Sequence, residues 1–117
     1  MKIPRRKRSG VVILEPSGKI TIGSGDIALR DAVETALDAG ELSILIDFKK
    51  AKMLDSSGMA ELVAAKKKTQ DRGGDVKLLY LPSSIRDVLS MTRIVTVFDV
   101  FDNEDEAIAS FKQTQGS

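Results

Sequence analysis

The sequence predicts an α/β fold, a four- to five-stranded mixed, mostly parallel sheet with about four helices. Three observations carry this. Strand-like and helix-like segments alternate along the chain, as they do where strands are joined by helical crossovers. One segment, Leu42 to Phe48, is almost continuously apolar, as a central strand covered on both faces should be. The chain has 117 residues, a length at which one domain buries a single core without disulfide or metal staples.

Each element has its own signal. Residues 1–9 read as a basic N-terminal edge strand. Gly10 to Glu15 is rich in β-branched residues and reads as a strand, closed by a turn at Pro16-Ser17-Gly18. Lys19 to Ile22 alternates polar and apolar, so a short strand is expected there. Gly23-Ser24-Gly25 breaks it. A helix follows from Asp26 to Ala39, with Leu29, Val33, Ala36 and Leu37 on one face and Gly40 as its stop. After the Leu42–Phe48 strand, Lys49 to Asp55 reads as a connecting loop. A second helix is expected from Ser57 to about Arg72, with Met59, Leu62, Val63 and the stem of Lys66 aligned, ended by Gly73-Gly74. Val76 to Leu81 is a strand. Pro82 then marks a helix start, where its missing N–H costs nothing, and Ile85, Val88, Leu89 and Thr92 share that helix's face. Val97 to Phe101 reads as a last strand. Asn103 caps a final helix with Ala107, Ile108 and Phe111 inward, and Glu104, Asp105 and Glu106 in its first turn suit the helix dipole. Residues 114–117 read as a frayed tail. The whole of residues 1–117 is read as one domain.

Composition removes several function classes. The chain has no cysteine and no histidine, which excludes disulfides, thiol nucleophiles, Cys/His zinc sites and His-based acid–base catalysis. No apolar run approaches the ~18 residues of a membrane span, so membrane insertion is not expected. The basic start is followed by too short an apolar stretch for a secretory signal, and a cytoplasmic protein is expected. The formal charge is +1, but it is unevenly spread. Lys2, Arg5, Arg6, Lys7 and Arg8 stand without an acid, whereas residues 9–117 hold thirteen basic and seventeen acidic residues, a net −4. Such a body is a poor nucleic-acid surface, and none of the five aromatics interleaves with the basic run. Direct nucleic-acid binding is therefore not expected. The run at 5–8 has two readings, an edge strand guarded by charge or a small patch for nucleic acid or anionic lipid.

Nothing in the sequence organises an active site. There is no phosphate-binding G-x-x-x-x-G-K-[ST] loop, and Gly18, Gly23 and Gly25 do not have dinucleotide-loop spacing. Without histidine no Ser-His-Asp triad forms. The acids at 102–106 sit at a helix start, where the dipole accounts for them. The chain is read as a binding module rather than an enzyme, with no cofactor.

The informative segment is Met53-Leu54-Asp55-Ser56-Ser57-Gly58-Met59, between the central strand and the second helix. In open α/β sheets, functional loops gather beyond the carboxyl ends of strands. Asp55, Ser56 and Ser57 are all good N-cap types, yet none is followed three residues later by Glu or Gln, so no reciprocal capping box forms. One cap suffices for a helix, and here a carboxylate and two hydroxyls follow one another. Gly58 removes bulk beside them, room that a partner's backbone could use. A plain cap and a functional loop are both open readings.

The run from Ile44 to Phe111 resembles the STAS domain of bacterial anti-sigma factor antagonists. The resemblance rests on Asp55-Ser56-Ser57-Gly58 opening a helix, on Gly73-Gly74 closing it before an apolar strand, on the spacing of Ile85, Val88, Leu89 and Thr92, and on the acidic start of the helix from Asn103 to Phe111. It covers about two thirds of the chain in the right order. It implies the STAS fold and a partner switch. The unphosphorylated antagonist docks on a serine-kinase anti-sigma factor and releases the sigma factor. That kinase phosphorylates the serine after the aspartate, here Ser56 with Ser57 as the alternative, and a serine phosphatase resets the system. Asp55 would hold the loop or orient the hydroxyl, and the implied partner-facing set is Asp55, Ser56, Ser57, Gly58, Met59, Thr21, Gly23, Ser24 and Asp26. The family's aspartate at the end of the strand before the first helix is replaced here by Thr21. Asp26 either supplies that carboxylate from a shifted position or merely caps its own helix. The alternative function is a STAS-type scaffold or adaptor subunit of a lipid-transport or sensory complex, without a phospho-switch.

Overall fold

The β-branched run Val11-Val12-Ile13-Leu14 is buried along its whole length, because it lies inside a sheet covered on both sides. The computed structural model describes residues 2–115, with side chains through residue 112. Strands β1 (Arg5–Arg8), β2 (Val11–Leu14), β4 (Ser43–Asp47), β6 (Asp75–Leu79) and β7 (Val100–Phe101) form one sheet in that order. β1 is antiparallel to β2, and every other pairing is parallel. Two further strands, β3 (Gly18–Ile20) and β5 (Ala51–Leu54), form a separate parallel ribbon. The helices are α1 (Gly25–Asp38), α2 (Ser56–Asp71), α3 (Ser83–Met91) and α4 (Glu104–Gln115). No helix among the described residues is long and apolar enough to cross a membrane.

Alternation along the strands divides the core. Val12, Leu14, Ile44, Ile46, Val76 and Leu78 face the larger cluster, which takes in the buried sides of α1, α2 and α3. Val11, Ile13, Leu45 and Leu79 face the other side and meet Ala107, Ile108 and Phe111 of α4. This is why β4 reads as almost continuous apolar sequence through Ile44-Leu45-Ile46: both of its faces are covered. On the α4 side, β6 also places the buried Lys77, whose Nζ donates to Ser110 Oγ at 2.9 Å and lies 4.8 Å from the Phe111 ring centre. The faces expected for α1 and α4 are the buried ones, and Asn103 Oδ1 accepts the Glu106 N–H at 3.0 Å as a cap should.

Several expectations are corrected. The segment Lys49 to Asp55 is not only loop, since Ala51–Leu54 is β5, paired with β3. Its lysines mask the pattern, because the ribbon buries only Ala51 and Leu54. The strand expected at Lys19 to Ile22 ends at Ile20. The last strand is only Val100–Phe101. Arg93 turns the chain with φ +62°, Ile94–Val97 forms a 3-10 turn, and Phe98 enters the core. On α2 the buried line is Leu62, Ala65 and Thr69, which leaves Val63 42% exposed. Helix α4 includes Thr114 and Gln115, both expected to fray; Gly116 and Ser117 lie outside the described residues.

The basic edge strand expected over residues 1–9 is confined to the exposed Arg5–Arg8, and three of its charges are matched from across the molecule. Arg6 and Arg8 both donate to the Glu104 carboxylate, Arg8 also reaches Asp105, and Lys7 Nζ pairs with Glu41 at 2.9 Å. The acids at the start of α4 thus serve the strand as well as the helix dipole. The Arg6 hydrogen bond, foremost, holds the Glu104 carboxyl below its ordinary range. A depressed folded pKa contributes stability that is full above the ordinary value and is lost as pH falls through the folded one. Glu104→Gln is expected to lower unfolding free energy by about 1 kcal/mol at neutral pH. The loss should shrink in high salt and below pH ~4, as read by urea titration at several pH values.

Candidate functional site

The site forms where the β3–β5 ribbon delivers the chain into α1 and α2. Asp55 is the N-cap of α2, in extended backbone conformation. One carboxylate oxygen accepts the Gly58 N–H at 3.0 Å, and the other accepts the Ile22 N–H at 2.9 Å. The first bond is an ordinary cap. The second ties the β3–α1 loop to the start of α2, so one side chain fixes both loops. These backbone donors, Gly58 first and then Ile22, hold the Asp55 carboxyl below its usual value.

With the cap supplied by Asp55, the serines are left over. Ser56 is exposed and Ser57 half-buried, and neither hydroxyl hydrogen-bonds among the described residues. Two serine hydroxyls therefore stand at a helix N-terminus, a place that tolerates an anion.

Gly58 has a different role from the one expected. A Cβ there would lie 2.4 Å from the Ile20 carbonyl oxygen and 2.5 Å from Leu54 Cδ1. The room is taken by the chain's own ribbon, not left for a partner. Gly25 is held likewise, with a Cβ position 2.3 Å from the Lys19 carbonyl oxygen. Both helices begin pressed against the backbone of β3.

The β3–α1 loop carries the rest of the expected set. Thr21 is half-buried, and its carbonyl accepts the Asp26 N–H at 3.1 Å. Gly23 has φ +100°. Ser24 is exposed at the N-cap of α1, with no side-chain cap. Asp26 Oδ1 accepts from Gly23 N at 3.0 Å and Ile27 N at 2.8 Å. Its contacts close its own loop, whereas the carboxylate that bridges to α2 is Asp55.

Sequence reasoning missed the apolar residues at this edge. Ile22 is 76% exposed, Met53 49% and Met91 84%. Met59, half-buried, receives the Thr92 hydroxyl at 3.7 Å from its sulfur, which sets the end of α3 beside the first turn of α2. The signal for Met91 was available, since it falls off the Ile85–Leu89 face of its helix. A partly apolar surface of flexible thioethers beside Ser56 suits an adaptable protein contact.

Asp55→Asn tests the clamp. The amide keeps one acceptor for two donors, so the Ile22 and Gly58 amides should lose hydrogen-exchange protection and the melting temperature should fall. In the parent chain the same two amides should lose protection as pH falls through the depressed Asp55 value, because carboxylate stabilisation is full above the ordinary range and lost below it. Unchanged exchange at Ile22 would contradict the bridge.

The fold and this Asp-Ser-Ser-Gly helix start define the class. The STAS domain family model matches residues 2–107, and the chain belongs to that family. It is 21% identical over 113 residues to an anti-sigma F factor antagonist of Paenibacillus polymyxa, with 96% of each chain covered. An anti-sigma factor antagonist of Mycobacterium paratuberculosis superposes with a TM-score of 0.83 at 20% identity, covering 95% of this chain and 93% of that one. The phosphorylated form of the Bacillus cell fate determinant SpoIIAA gives 0.71 at 19% identity, over 92% and 97%. A sulfate transporter family protein from Wolinella succinogenes gives 0.73 at 21%, over 94% and 91%.

Proposed function

We propose that this chain is a phosphorylation-controlled anti-sigma factor antagonist. Unphosphorylated, it docks through the Ser56 edge onto an anti-sigma factor that is itself a serine kinase, and the sigma factor is released. Phosphorylation of Ser56 ends the complex, and a serine phosphatase restores it. The observation that carries this is the division of labour at α2: Asp55 does the capping, and the Ser56 hydroxyl stands exposed and, among the described residues, unbonded beside apolar side chains. The names of the relatives support the same role. Physically, a phosphate at a helix N-terminus leaves the free domain intact, while the same dianion in a docked interface must be desolvated and meets the partner's charges.

The test is incubation with the cognate anti-sigma kinase and ATP, followed by peptide mapping. One phosphate is expected, on Ser56. Phosphate on Ser57 alone would move the acceptor and keep the switch. A loop that no such kinase labels would leave the chain as a STAS-type scaffold without a phospho-switch.

A further inference from the structure

Lysines cluster on the ribbon that leads to the Ser56 edge, and Glu15 and Asp47 lie beside its Lys49–Lys50 end. Between Asp47 and Asp55 the chain holds Lys49, Lys50 and Lys52 and no acidic residue. Lys19 joins them from β3, where it stands in register with Met53 of β5. Lys50 is fixed at the base of the ribbon, its carbonyl accepting the Gly18 N–H at 2.9 Å. Lys19, Lys50 and Lys52 are exposed, and none makes an ion pair or side-chain hydrogen bond among the described residues. Elsewhere Arg6, Lys7, Arg8 and Lys68 each reach a carboxylate. The patch also stands against a body of net negative charge, so it is a local field and not part of a general one.

We infer that the exposed face of the β3–β5 ribbon, carried by Lys19, Lys50 and Lys52, is a docking surface for an acidic segment of the partner protein. The inference rests on the proposed switch and extends it, since the ribbon runs directly into both loops that Asp55 ties together. Charge complementarity selects an acidic occupant. The exposed Ile22 and Met53 beside the lysines favour a protein, because they offer apolar surface for a desolvated contact. A phosphate on Ser56 would add a charge of about −1.5 to −2 next to this collar. It would repel the acidic segment and offset the lysines that attract it, which gives the switch its electrostatic lever.

The test compares Lys19→Glu/Lys50→Glu/Lys52→Glu with the charge-matched control Lys2→Glu/Lys67→Glu/Lys112→Glu, after both are shown to melt like the parent. The probes are the kinase that labels Ser56, an octaglutamate peptide, and phosphatidylserine–phosphatidylcholine vesicles. The collar variant should bind the kinase about 30-fold more weakly at low salt, chiefly through a slower on-rate, and lose most of its salt dependence. The control should stay within about threefold. In the parent, octaglutamate should shift the backbone amides of β3 and β5. Equal kinase affinity and salt slope for the collar variant and the parent, with Ser56 still labelled, would overturn the inference and leave the switch standing. If no kinase labels Ser56, the switch fails and the peptide decides the collar: shifts at β3 and β5 uphold it, and their absence overturns it. Tighter binding to the vesicles than to the peptide, lost in the collar variant, would also overturn it in favour of a membrane.

Discussion

Ser56→Asp is expected to fold like the parent and to bind the anti-sigma kinase at least ~10-fold more weakly, about 1.4 kcal/mol. The free domain tolerates the change because position 56 is the first residue of α2, where the dipole favours a carboxylate. It is also exposed, so no packing is lost. In the complex the added carboxylate has to be stripped of water among Ile22, Met53 and Met91, and a buried unpaired charge is costly. Ser56→Ala gives the opposite behaviour. Its hydroxyl has no hydrogen bond to lose among the described residues, so binding should match the parent while labelling at 56 disappears and the complex stays locked. Calorimetric titration of the three proteins with the kinase, beside their melting curves, reads both halves. Equal affinity for the Ala and Asp variants would refute an electrostatic switch at this residue.

Much of the fold was legible because the relevant forces act between near neighbours in sequence. The apolar run Ile44-Leu45-Ile46 within β4 announced burial on two faces, and the 3.6-residue spacing of Leu29, Val33, Ala36 and Leu37 marked the buried side of α1. Asn103 announced its cap through a bond to Glu106, three residues on. What was illegible depends on partners far away along the chain. The Asp55 carboxylate reaches Ile22, 33 positions back, in a loop whose sequence carries no sign of it. Arg6 and Glu104 meet across 98 positions, and each end taken alone reads as an ordinary charge run. β5 was hidden because a short ribbon strand buries two of its four residues and spends the others on lysine and methionine. At the site, the motif Asp55-Ser56-Ser57-Gly58 was found, but the roles within it were not fully separable. Sequence could not say which of three cap-competent residues takes the helix, and so which hydroxyls are left free. That assignment follows from the direction of the Asp55 side chain.

Gly58→Ala is expected to cost about 2–3 kcal/mol of stability, against the intrinsic preference of a helix for alanine over glycine of roughly 1 kcal/mol. The sign is decided by what the new methyl meets. Leu54 Cδ1, at 2.5 Å, could rotate away, but the Ile20 carbonyl oxygen at 2.4 Å is backbone. That backbone is pinned by the register of Ile20 with Leu54 across the ribbon and by the Asp55 N–H directed at the same oxygen. Relief therefore requires α2 to lift away from β3, which stretches the two Asp55 bonds that tie the loops. Ala60→Gly, at an exposed position one half-turn further along α2, is the counterpart in which only propensity acts, and should cost about 1 kcal/mol. Urea unfolding of both variants separates packing from propensity. The displacement also makes a prediction about docking. Because Ser56 and Ile22 are held in one surface only while α2 lies against β3, Gly58→Ala should weaken kinase binding although it removes no surface atom, and the Ile22 amide should lose exchange protection in the same variant. A Gly58→Ala domain more stable than the parent would mean that the glycine is not the contact on which this surface is built.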